Sequence, residues 1–139
     1  MRIFILRLED GEQLPDTLLN FCRTHKIIHG LAFFLGGVRR GSRLVSGPGR
    51  EEPPFNPIIQ SLTATHEILG LGTVLPNEQG EPTLHAHAAA GRKRQSRVGC
   101  IRPGIKIWHI VEIVLLELAP TNATRSKDPL TGFNLLKIE

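Results

Sequence analysis

The sequence predicts a single α+β domain in which a curved, mainly antiparallel sheet carries one main helix. Three observations lead there. The chain has 139 residues, 40% of them apolar and 22% charged, which suits one soluble globular domain with a real core. Only one stretch repeats its apolar residues at helical spacing: Leu14, Leu18, Phe21, Cys22 and His25. The other apolar stretches are bounded by glycine and proline and read as six or more strands, the pattern of an α+β architecture.

In chain order, Arg2 to Leu8 is a strand and Gly11 to Gln13 a turn. Pro15 stands at the helix start, where its missing N–H costs nothing, and the helix runs to about His25. Ile27 to Val38 is almost continuously apolar or glycine, as in a strand covered on both faces. Gly41 to Val45 is a further strand. Ser46 to Pro57 holds four prolines and two glycines and is expected to be an exposed loop. His66 to Leu75, Pro82 to Ala90, Gln95 to Ile101 and Ile105 to Leu118 complete the strands, and residues 119–139 form a tail. No run reaches the ~18 apolar residues of a membrane span. The apolar start Ile3 to Leu6 is cut short by Arg7 and Glu9, too early for a signal peptide. Two cysteines without an export signal imply reduced thiols and a cytoplasmic location.

The most informative motif is Pro82-Thr83-Leu84-His85-Ala86-His87 followed by Val98-Gly99-Cys100. Alternation along a strand puts His85 and His87 on one face, roughly 6–7 Å apart at Cα, so both imidazoles can reach one ion at about 2 Å. Gly91-Arg92-Lys93-Arg94 is a polar turn. A two-residue reversal at Arg92-Lys93 sets Cys100 opposite His85 on the same face. A two-residue change of register keeps that facing, and a one-residue slip destroys it. His85, His87 and Cys100 thus form a candidate His2Cys site with one coordination position left for water or substrate, and nitrogen with thiolate sulfur favours zinc over magnesium or calcium. The competing readings are strand histidines that only satisfy local hydrogen bonds and a cysteine that behaves as a small buried hydrophobe.

Glu112 lies in an otherwise apolar strand, where alternation groups it with Trp108 and Ile110, and His109 with Ile107, Val111 and Ile113. Its carboxylate is a partner that orients a ligating imidazole, a general base, or an edge residue in solvent or in an ion pair. His66 and His109 lack a histidine two residues away and are weaker ligand candidates; His25, His29 and Cys22 are read as structural, and Trp108 as a packing or interface anchor. The formal net charge is +4. Pro82 to Val111 has no acidic residue but carries Arg92, Lys93, Arg94, Arg97, Arg102 and Lys106, which is either a solvated edge or a surface for nucleic acid or small anions. The chain has no Gly-x-Gly-x-x-Gly opening a helix, no phosphate-binding Gly-Lys-Ser/Thr loop and no Gly-x-Ser-x-Gly elbow, so nucleotide binding and serine hydrolysis lack support.

Pro82-x-Leu84-His85-x-His87, the basic turn, Gly99-Cys100 and the closing Val111-Glu112-Ile113-Val114-Leu115 resemble the plant- and prokaryote-conserved domain. Ala32 to Arg39 and Glu67 to Gly72 resemble further landmarks of that family, and the resemblance runs from about Ile3 to Leu118. Two departures stand out: Val98-Gly99-Cys100 replaces the usual Gly-Gly-His, which turns the third ligand into a thiol, and Val111-Glu112 replaces Ala-Glu. The resemblance implies a mixed-sheet pseudo-barrel, a homotrimer and a DNA-associated role. The chain lacks the Arg-Gly-Arg-Pro hook through which plant relatives contact DNA, has no helix-turn-helix, and with 5% aromatic residues is poor in stacking surface. Two functions are therefore carried forward. One is a metal-stabilised module with weak, sequence-independent DNA contacts. The other is a zinc-dependent lyase or hydrolase acting on a small anion held by Arg97 or Arg102.

Overall fold

A computed structural model describes residues 1–139. The order is β1 (Ile3–Glu9), α1 (Leu14–Thr24), β2 (Gly30–Val38), β3 (Arg43–Pro48), β4 (Pro57–Ser61), β5 (His66–Pro76), β6 (Pro82–Arg92), β7 (Gln95–Ile101), β8 (Ile107–Glu117), β9 (Ala123–Lys127) and β10 (Asn134–Ile138). Eight strands form one sheet in the order β1-β8-β2-β5-β6-β7-β3-β4, and β9 with β10 makes a separate hairpin. Every pairing between these strands is antiparallel, and a lone parallel bridge joins Asn77 to Arg125. The α+β class is as expected. The mixed, barrel-like closure is not: β1 and β4 remain open edges, with no pairing between them. No helix is long and apolar enough to cross a membrane.

The helix covers one face of the sheet. Leu14, Leu18 and Cys22 are fully buried and pack in one cluster with Phe34, Ile68, Val74, Ile107, Ile113 and Leu115 from the strands. Each such leucine contributes about 1.5–3 kcal/mol relative to exposure. The helix lies against β6, where the inward residues are Ala86, Ala88 and Ala90, short enough to let it approach closely. Gly70 on β5 sits opposite Phe34, and a Cβ there would lie 2.3 Å from the phenyl ring and 2.6 Å from the His87 carbonyl oxygen. The absent side chain is what admits the ring to the core.

Three local expectations are corrected. The proline-rich stretch is not all loop: β3 continues to Pro48, and β4 begins at Pro57 as an edge strand, the one sheet position that tolerates proline. β2 is not covered on both faces, since Phe33 and Leu35 point outward and are exposed within the monomer. His109 does not share the buried face of Ile107, Val111 and Ile113. The pairing of β8 with β2 jumps from Gly36↔Val111 to Gly37↔Trp108, which expels His109 into a bulge at φ 60°. Asp10 holds that bulge by accepting a hydrogen bond from His109 N at 2.9 Å, and this bond, with Arg39 beside it, lowers the carboxyl's pKa. Two extra residues keep parity, so Ile107 and Val111 still face the core.

Candidate metal centre

The site grows from the β6–β7 hairpin. Lys93 is the first turn residue, with φ 56°, and Arg92 pairs with Gln95, so the reversal falls at Lys93-Arg94. This is one position later than the sequence count and moves the register by two. Cys100 accordingly pairs with His87 rather than His85. Parity survives the shift, and the structure brings all three side chains together. One donor atom from each of His85, His87 and Cys100 lies within 4.8 Å of the others. The two rings meet edge to face, 5.2 Å between centroids. Both histidines are exposed and Cys100 is half-buried.

The surroundings are set by the whole sheet. Following the register from edge to edge, Ile5, Val114, Phe33, Leu71, His87, Cys100, Val45 and Ile59 form one row across all eight strands. A second row places Leu35, Leu69, Ala89 and Val98 side by side. The donors therefore interrupt an apolar, exposed sheet face, well separated from the core. Cys22, by contrast, lies in the core, and burial pushes its thiol up to about 11.

The residues suit a borderline-soft cation on chemical grounds: two imidazoles and a free thiol converge, with no disulfide to consume the sulfur. A second observation bears on His85. Arg125 Nη2 donates to His85 Nδ1 at 3.2 Å and to Thr73 Oγ1 at 3.0 Å, so a guanidinium engages the ring from one side and an ion bound there would have to displace it. Loss of solvent around the ring, then the charges of Arg125 and Arg102, lower the His85 pKa and favour the neutral imidazole that a metal requires.

The cluster opens on a cleft of about 500 Å³ whose walls include Phe55, Phe133, Arg102 and Arg125. The last 21 residues, read from sequence as a tail, supply much of it. β9 and β10 pair across a turn in which Asp128 accepts hydrogen bonds from Thr131 N at 2.8 Å and Oγ1 at 2.6 Å, and Gly132 adopts φ 74°. Arg125, Thr73 and Phe133 were not among the sequence candidates. The Asp128-Pro129…Gly132 turn signal ahead of Leu135, Leu136 and Ile138 was available in the sequence to reveal the hairpin.

The remaining candidates scatter. Arg102 joins the cleft. Arg92, Lys93 and Arg94 lie at the far end of the hairpin beside Trp108, around a shallow concavity of about 780 Å³. Arg92 Nη1 there donates to Thr65 O at 3.0 Å. Arg97 pairs with Ala90 near that same end. Glu112 is exposed on β8 opposite Arg7 and Leu35, with β2 and β5 between its strand and β6. The structure does not bring its carboxylate to the donor cluster, so within one chain it neither orients a ligating imidazole nor acts as a base there. His66 and His109 also lie outside the cluster.

The sequence profile of the Plants and Prokaryotes Conserved (PCC) domain matches residues 1–119. The chain belongs to the PCC family. Among solved PCC-like folds, a metal-containing protein from Archaeoglobus fulgidus is 24% identical and superposes with a TM-score of 0.82 over 97% of this chain and 92% of that one. A plant- and prokaryote-conserved protein from Pyrococcus horikoshii is 25% identical with a TM-score of 0.79, covering 99% and 94%. A candidate DNA-binding protein from Bacteroides thetaiotaomicron, 17% identical, shares the fold with a TM-score of 0.78 over 98% and 92%. The bifunctional protein GlmU of Synechococcus is 29% identical over 141 residues, a match that takes in all of this chain but only 21% of that protein's length. Arg125 and Phe133 lie beyond the part of the chain that the PCC profile matches.

Proposed function

We propose that this PCC domain is a metal-binding homotrimeric module, holding zinc through His85, His87 and Cys100 and touching DNA weakly and without sequence preference. The observation that carries the reading is the convergence of three donor atoms within 4.8 Å on an otherwise apolar exposed face. Apolar rows of this extent mark an association surface, with Ile5, Leu69, Leu71 and Val98 each more than half exposed in the single chain. Thiolate and imidazole donors select zinc over hard cations, and a zinc ion bound there supplies Lewis acidity tempered by the thiolate's charge. The chain's own part is to favour the neutral form of His85 by lowering its pKa and to keep Cys100 half-buried beside it. A reduced thiol fits a cytoplasmic location. Arg92, Lys93, Arg94 and Arg97, exposed at one end of the hairpin, are the residues for phosphate contacts.

The test is elemental analysis of reduced protein purified without chelator and then offered zinc. One ion per chain is expected, lost in His85→Ala and His87→Ala and retained in Cys100→His. Failure to bind near one equivalent, or binding by the alanine variants at wild-type strength, rejects the site.

A second reading is favoured by one observation, the cleft beside the donors with Arg102 in its wall. A zinc-dependent lyase or hydrolase acting on a small anion would need such a cleft. Turnover of a small carboxylate or phosphate ester that vanishes in His85→Ala distinguishes it from the first.

A further inference from the structure

We infer that Arg102 and Arg125 form a binding site for a small anion, a carboxylate or phosphate ester carrying an apolar body, in the cleft beside His85. The site goes beyond the metal reading and stands on the chain's own cations.

No aspartate or glutamate lines this cleft, and neither arginine has a salt bridge. For Arg125 this is unusual, because its side chain is half-buried. A cation withdrawn from water is ordinarily paired. The only partners of Arg125 are neutral, the Thr73 hydroxyl and the His85 imidazole, and its Nε–H is buried with no acceptor. The charge is therefore solvated by nothing of opposite sign. Arg102, directly after β7, lines the same cleft as His85 and Arg125. Two guanidinium groups over one cleft match the planar, two-oxygen face of a carboxylate or the oxygens of a phosphate. Phe55 and Phe133 stand 5.3 Å apart, centroid to centroid, and give the cleft an apolar wall that inorganic anions would leave unused.

The hairpin that delivers Arg125 is anchored to the sheet, not free. Asn77 bridges to Arg125 itself, and β9 packs on β5. An anion arriving in the cleft offers Arg125 a charged acceptor stronger than an imidazole nitrogen, so the guanidinium leaves His85 for the ligand.

Calorimetric titration of metal-free protein with phenyl phosphate, benzoate and inorganic phosphate at low salt tests the site. At least one of the two aromatic probes should bind saturably at one per chain, which also sorts carboxylate from phosphate, and inorganic phosphate should bind about 10-fold more weakly or worse. Arg102→Gln and Arg125→Gln should each weaken binding roughly 10–100-fold. Arg102 is exposed and in no salt bridge, so its variant reports on the ligand even if the Arg125 variant unfolds. Absence of saturable binding by the wild type, or unchanged affinity in Arg102→Gln, overturns the inference. Because the protein is metal-free, this result is independent of whether zinc binds.

Discussion

If His85 holds zinc as proposed, Arg125 competes with the ion for that ring, and removing the arginine should tighten zinc binding. A guanidinium can only donate, so in the bond to His85 Nδ1 that nitrogen must supply its lone pair and the ring proton must sit on Nε2. An ion bound at Nδ1 displaces the arginine. An ion bound at Nε2 moves the proton to Nδ1, which then meets an arginine N–H head-on. Either way the 3.2 Å bond is lost when a neutral His85 becomes a ligand. The lost bond costs about 1 kcal/mol net. A divalent ion ~2 Å from Nδ1 lies at most ~5 Å from Nη2, and one on Nε2 at most ~7.5 Å, so repulsion in a water-like dielectric is about 1.1–1.7 kcal/mol. Rotation of the side chain relieves part of this, so Arg125→Gln should bind zinc roughly 10–100-fold more tightly. Arg125→Lys should fall between the two, since it keeps the charge without the fork. Competition with a chromophoric zinc chelator at neutral pH, on reduced protein, measures all three. Equal or weaker affinity in Arg125→Gln would refute the reasoning.

Four further outcomes are expected. Gly70→Ala should lower stability by about 1–3 kcal/mol in urea unfolding, because the new methyl would overlap both the Phe34 ring and the rigid His87 carbonyl; an unchanged midpoint would mean the strands can separate at no cost. Glu117 binds Arg2 through both oxygens, at 2.7 and 2.8 Å, and hydrogen bonding to Arg2 lowers its pKa to about 2 from 4.5. A depressed carboxylate stabilises above its unfolded value and loses that contribution as pH falls from about 4.5 towards 2, so Glu117→Gln should show a flatter loss of stability over this window in acid titrations. By light scattering the wild type should be a trimer, and Leu69→Glu combined with Leu71→Glu should leave the fold intact and yield monomers; DNA binding, if it uses three phosphate contacts, should weaken about 40-fold when salt rises four-fold.

Much of this protein was legible in its sequence because the signals are local. The helix from Leu14, the strand character of Gln95 to Ile101 and the shared facing of His85, His87 and Cys100 depend only on residue periodicity, and parity made the last of these immune to the two-residue error in the turn. The proposed donor set, and with it the expected preference for zinc over a hard cation, is likewise a matter of residue type. What the tertiary structure decided depends on contacts between distant segments. Strand order puts two strands between Glu112 and β6 despite its place in a promising motif, and the bulge at His109 breaks an alternation that residue periodicity alone predicts to be unbroken. Open edges in place of a barrel follow from which strands end unpaired. Arg125, 40 residues beyond His85, reaches its ring only because the β9–β10 hairpin folds back over β5. Periodicity reports which face a side chain takes within its own strand. Which foreign side chain meets that face is settled only when the sheet is assembled.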